Sequence, residues 1–264
     1  MTADIDRSVG CAPAGDSARP GRFRWFRGGA VVLAVAGAVV TFLVGGMPVA
    51  SASSDTPLTG AGLTLLDPDF ALDLQRREMK VEAVGGARKV DADIQLPVAK
   101  GSKIQYGKKV TGGKVILRGG IELSKGDKKL ALSNMSYDIR SGGLTARVGA
   151  KANVVIGSAN DPDSAEVVMN EGTTRATLKL ANQGLKLHAD FFTAVDNAVG
   201  SNLSADFPDG ALIAAELDVD VDLAVGDKLN TALIVALGLD NEIDLDLGVD
   251  ALLDADLDLS IDLL

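Results

Sequence analysis

Residues 119–151 read GGIELSKGDKKLALSNMSYDIRSGGLTARVGAK, and this stretch decides the fold class. Ile121 and Leu123 alternate with Glu122 and stop at Lys125-Gly126-Asp127, a turn-forming cluster. Leu130 and Leu132 restart the alternation, but the next apolar set is Met135, Tyr137 and Ile139, one residue out of phase. A one-residue slip sends every later side chain to the opposite face, so the reading requires a β-bulge near Ser133-Asn134. Ser141-Gly142-Gly143 makes a second turn, after which Leu144, Ala146 and Val148 alternate with Thr145, Arg147 and Gly149. The pattern is an antiparallel meander with one dry and one wet face.

Working outward, the same period-two signal recurs on both sides. Lys80 to Val84, Val90 to Leu96, Val115 to Leu117, Ala152 to Ile156, Val167 to Met169, Thr174 to Leu180 and Leu212 to Leu223 all read as strands. Two segments break the pattern. Asp67-Pro68 supplies an N-cap and a proline at the first helical position, and Phe70 and Leu74 continue a helical register to about Met79. A second helix is expected from about Gln183 to Val199, with Leu185, His188, Phe192, Val195 and Val199 as its apolar stripe and Gly200 closing it. The expected fold is mainly β, an antiparallel sandwich or barrel with two short helices at its ends and an acidic C-terminal extension.

The chain of 264 residues is 47% hydrophobic and 4% aromatic. Arg22, Arg24 and Arg27 precede an apolar run from Gly28 to Gly46 that ends in Pro48-Val49-Ala50-Ser51-Ala52. This is the layout of a secretory signal peptide cleaved after Ala52. The competing reading is an uncleaved anchor, since the run approaches the ~20 residues that span a bilayer. Phe23, Trp25 and Phe26 separate the arginines, so no twin-arginine pair is present and export by the general secretory route to the cell surface or beyond is expected. Cys11 precedes the apolar run, which leaves the rest of the chain without thiol chemistry. Residues 1–52 are thus read as a signal, 53–223 as a β-domain and 224–264 as an Asp/Leu-alternating extension.

Charge is distributed unevenly. Residues 206–264 carry 16 acidic side chains and one basic one, within a whole-chain charge of −10. Such a tail repels nucleic acid and anionic lipid, so nucleic acid is not an expected partner, and a membrane is one only through an uncleaved signal. Lys100, Lys103, Lys108, Lys109 and Lys114 surround Tyr106 and read as a solvated hairpin whose lysines block strand pairing. Asp218, Asp220 and Asp222 alternate with Leu217, Val219, Val221 and Leu223, and the pattern returns at Asp244, Asp246, Asp254, Asp256 and Asp258, with Lys228 to Leu239 between as a candidate helix. Period two places the carboxylates on one face, where like charges stand opposite one another unless neutralised. Calcium or a basic wall polymer is one neutraliser. The alternative is a partly disordered tail that aids solubility.

The block from Gly112 to Lys151 resembles the core of the HtaA-like secreted β-domains of actinobacteria. Gly113, Gly119-Gly120, Leu130, Leu132, Asn134 and Leu144-Thr145-Ala146-Arg147-Val148 carry the resemblance, and Arg175 to Asn197 is similar to the later strand and helix of such domains. The resemblance implies haem as a candidate ligand, with Tyr137 or Tyr106 as an axial group and His188 as a second contact. From the residues themselves, a single histidine on an apolar stripe reads as a packed core residue. It also leaves no partner for a nucleophilic triad, and no glycine-rich phosphate loop follows a strand. The expectation is a secreted or envelope-associated, non-enzymatic protein that binds a cell-wall or surface component or acts as a structural component. Haem capture and a calcium-dependent adhesive module are the alternatives.

Overall fold

The computed structural model describes residues 53–65, 67–90 and 93–240. Residues 1–52, expected to be a signal, and Asp244, Asp246, Asp254, Asp256 and Asp258 lie outside the described residues. Strand β1 (Ser54–Leu65) leads into helix α1 (Pro68–Arg76). Nine strands follow: β2 (Met79–Val84), β3 (Arg88–Val90), β4 (Asp93–Leu96), β5 (Lys103–Tyr106), β6 (Val110–Ile116), β7 (Gly120–Lys125), β8 (Lys128–Asp138), β9 (Gly143–Val148) and β10 (Lys151–Ala159). A 3-10 turn at Pro162–Ser164 precedes β11 (Glu166–Met169) and β12 (Arg175–Lys179). Then come β13 (Leu185–Leu187), α2 (Ala189–Val199), α3 (Leu203–Asp206), β14 (Ala211–Ile213) and β15 (Ala215–Asp222). A small hairpin, β16 (Ala224–Val225) and β17 (Lys228–Leu229), and helix α4 (Thr231–Leu237) complete the described chain.

The expectation of a mainly β, antiparallel architecture holds. Fifteen strands form one antiparallel sheet in the order β11-β12-β15-β1-β5-β6-β8-β9-β10-β13-β14, with β2-β7 joined to β8 and β3-β4 joined to β1. The sheet curls into a half-barrel. One residue shows why. Strand β14 ends the strand order and β15 lies third from its other end, yet only Ala214 separates them in sequence. A single residue spans at most ~3.6 Å, so the sheet must curl to bring its β14 edge beside β15 at this corner.

The predicted bulge is present and does more than restore phase. Asn134 has φ +50°, and the β8–β9 register shifts between Ser133 and Ser136. Before the shift Leu130 and Leu132 face inward, and after it Met135 and Tyr137 do. The bulge also changes β8's other neighbour, from β7 (Leu123↔Leu130) to β6 (Val115↔Tyr137). Strand β1 repeats the device: its first half pairs with β5 and its second with β4, across a register shift between Thr59 and Gly62. Bulges raise local twist, and two of them on long strands bend the sheet around its core.

Three expected elements differ. The helix expected from Gln183 begins only at Ala189, and Leu185–Leu187 is a strand between β10 and β14. Gly184, at φ +84°, interrupts the chain there, and Leu-Lys-Leu satisfies period two as well as it does a helical stripe. The strand expected from Val90 to Leu96 is the hairpin pair β3 and β4. The strand expected over Leu212–Leu223 breaks at the Ala214 corner. Beyond Leu223, α4 buries Leu233, Ile234 and Leu237 in the core, and Asn230 caps it by accepting from Leu233 N.

Candidate functional site: an apolar cavity beneath two helices

Helix α2 lies in the hollow of the half-barrel, against β7, β8 and β10. Its sequence explains the placement: Phe192, Val195 and Val199 recur at helical spacing and are fully buried, and Gly200 ends the helix in the left-handed conformation. Helix α1 is a thinner cover. Only Leu74 of its residues is buried, while Leu72 is exposed. Between the helices and the sheet lies a cavity of about 360 Å³. Its wall is formed by Leu132, Met135, Leu144 and Ile156 from the centre of the sheet, Leu185, Leu187 and Ile213 from one end, and Met79, Val81, Ile121 and Leu123 from β2 and β7. Phe70, Leu74, Phe191 and Phe192 complete it from the helices. Polar side chains occur among the lining only as Asp67, Gln75, Lys89 and Asp93.

The cover is fastened by aromatic packing. Phe192 sits 5.1 Å from Phe207, 5.6 Å from Phe191 and 6.2 Å from Phe70, and Phe70 is 6.0 Å from Phe207. These four are all the phenylalanines after residue 52. The tilted geometries are the favourable ones for ring quadrupoles. Polar ties hold the same region. Asp67 Oδ1 accepts from Phe70 N at 2.8 Å, capping α1, while Oδ2 accepts from Ala214 N at 3.0 Å, which pins α1 to the sheet corner. The Arg77–Asp206 ion pair at 2.6 Å links the end of α1 to α3. Burial alone would raise the Asp196 carboxyl, but hydrogen bonds from Ser201 Oγ, Ser204 Oγ, Ser204 N and Leu203 N hold it below the usual carboxylate range. That clamp fixes α3 to the end of α2.

No protein-family model matches this chain, and no curated protein does.

The haem candidates are not brought together at the cavity, and none of the three lines it. Tyr137 is buried and its hydroxyl donates to Leu180 O at 3.1 Å. Burial, helped by Asp138, holds its phenol above the ordinary range. Tyr106 is also buried, and its hydroxyl accepts from Asn230 Nδ2 at 2.7 Å and from Thr56 Oγ1 at 3.4 Å. His188 is half-buried at the start of α2, where its backbone N–H donates to Ile156 O. These residues do not fit a haem site as they stand: the two hydroxyls are committed to protein partners, and the apolar space opens elsewhere.

The calcium candidates on β15 have a different neighbourhood from the one expected. Like charges do not face one another. Strand β12 places Arg175 opposite Asp222, Thr177 opposite Asp220 and Lys179 opposite Asp218. Thr177 Oγ1 donates to Asp220 Oδ1 at 2.7 Å and Thr174 Oγ1 to Asp222 Oδ1 at 3.1 Å. Among the described residues no group of three or more His, Cys, Asp or Glu is arranged to hold a metal ion. Asp218 stands out. Burial raises its carboxyl above the ordinary 3.8; Lys179 opposes this, and Glu216 and Asp220 add to it. A raised acid contributes stability that is full below the unfolded value and is lost as pH rises through the folded value. Asp218→Asn should therefore melt at a higher temperature than the parent at pH 7, with the gain disappearing below about pH 3.8, the ordinary value. Paired melting curves at pH 7 and pH 3.5 check this.

The cavity itself was not legible as a site. Phe70 and Phe192 are visible in the sequence as helix residues, but only the tertiary fold shows that a void lies under them.

Proposed function

We propose that this protein is a non-enzymatic binding protein of the cell envelope or exterior that holds a small apolar guest inside the half-barrel. The cavity carries this reading. Its volume of about 360 Å³ and its lining, apolar except at one rim, are those of a small-molecule site. A fold that keeps such a space gains stability from a ligand that fills it. The basic residues, apolar run and Ala-Ser-Ala ending before residue 53 support export. Within the described residues no helix is long and apolar enough to cross a membrane.

Binding of a neutral naphthylamine fluorophore tests the reading. Blue-shifted emission should saturate at about one equivalent in the parent and weaken in Leu132→Phe and in Ile156→Phe, which narrow the cavity. Both variants should keep or raise the melting temperature, because the added atoms fill existing space instead of displacing neighbours. Equal fluorescence in parent and variants, with all three folded, would sink the reading. Haem and calcium belong in the same experiment: a Soret shift at stoichiometric haem, or a rise in melting temperature with millimolar calcium, would favour the alternatives over an apolar guest.

A further inference from the structure

We infer that the guest is a neutral amphiphile with a single hydrocarbon chain, its chain in the cavity and its hydroxylated end at the rim. This rests on the binding reading above and adds the chemical class. Size comes first. An engineered apolar cavity of about 150 Å³ takes up one benzene, so by proportion 360 Å³ holds roughly fourteen carbon-sized atoms. One medium-length chain fits that volume. A two-chain lipid or a porphyrin does not.

The number of polar ends comes second. The walls supplied by the centre and both limbs of the sheet are apolar throughout, and the polar lining is confined to four residues near α1, β3 and β4. A guest with a polar group at each end would bury one of them without a hydrogen-bond partner, at a cost of several kcal/mol by transfer scales. One polar end at the rim costs nothing of the kind.

The charge of that end comes third. Asp67 has both oxygens engaged by the backbone N–H groups of Phe70 and Ala214. Each oxygen already accepts one backbone N–H, and the carboxylate adds negative charge at the rim. Gln75 and Lys89 are exposed and Asp93 is half-buried. Together they offer an amide, an ammonium and a carboxylate. A hydroxyl or glyceryl end can donate to Asp93 and accept from Lys89 or Gln75. A fatty-acid carboxylate meets two like charges against one opposite, so repulsion outweighs attraction at this rim.

The test uses the full chain loaded with the naphthylamine fluorophore and displaced by monoacylglycerols and fatty acids of about 8 to 18 carbons, the range bracketing the volume estimate. Monoacylglycerols should bind tightest at about 12 to 14 carbons and fail to gain beyond that length. At the optimum they should outbind the fatty acid of equal length by about tenfold, and Asp93→Asn should narrow the gap to roughly threefold by removing one repulsive charge. A two-chain phospholipid should not displace the fluorophore. Equal or reversed preference, or affinity that climbs steadily to the longest chain, overturns the assignment. The two layers separate cleanly. A fluorophore insensitive to Leu132→Phe removes the cavity reading itself, whereas a fluorophore that responds to filling but shows no preference for neutral single chains removes only the ligand class.

Discussion

Replacing Phe192 with alanine should destabilise the protein by about 4 kcal/mol and lower its melting temperature by about 10 °C. The ring is completely buried at the centre of the four-phenylalanine cluster and touches rings from α1, from α2 and from the segment after α3. Truncation removes the transfer energy of one of the two largest side chains on α2, removes three aromatic contacts, and leaves a hole that joins the existing cavity. The site cannot readily collapse to compensate, because the sheet on the far side is held by the paired strands β7, β8, β9 and β10. Phe207→Ala supplies the comparison: Phe207 is half-buried and makes two of the ring contacts, so its loss should cost clearly less. Thermal or urea unfolding of the three proteins measures both. A loss below about 1 kcal/mol for Phe192→Ala would show that the cover is not fastened by these rings.

Gly119→Ala should cost about 3 kcal/mol or more, while Gly126→Ala costs about 1. Both glycines have positive φ, +91° and +56°. They differ in surroundings. A Cβ at Gly126 would meet nothing within 4 Å, so only the left-handed backbone is penalised. A Cβ at Gly119 would stand 2.0 Å from Ala87 N and 2.8 Å from Gly86 N. Those are backbone atoms of the β2–β3 connection, and they cannot retreat without opening the ladder that holds Val84 against Gly120. Equal losses for the two variants in denaturant melts would mean that close backbone approach at Gly119 has no energetic role. The Gly-Gly step that stands out in the sequence thus has a local reason: two chain segments cross there with no room for a side chain.

Period-two patterning was readable because it is a local property. Leu130, Leu132, Met135 and Tyr137 announce both the strand and its bulge, since burial of one face forces every inward position to be apolar. Asp67-Pro68 announces α1, and the structure places the cap on Phe70 N as that pair requires. Short segments were less readable. Leu185 and Leu187 satisfy either period, and their strand state is decided by β10 and β14, whose ladder partners lie 24 or more positions away on either side. The acidic alternation of β15 was legible, but its neutraliser was not: Arg175, Thr177 and Lys179 come from a separate stretch and become neighbours only through β12–β15 pairing.

By itself the amino-acid order determined the two-faced strands, the position of the bulge in β8 and the capped start of α1, because each depends on residues within a few positions of one another. The tertiary structure alone decided that the sheet curls until β14 meets β15 at Ala214, that the four phenylalanines converge, and that an apolar space remains beneath them. Those features arise from contacts between residues more than 100 positions apart, such as Asp67 with Ala214 and Phe70 with Phe192. No periodicity encodes a distance of that kind, since it is the summed outcome of strand order, twist and packing across the whole sheet.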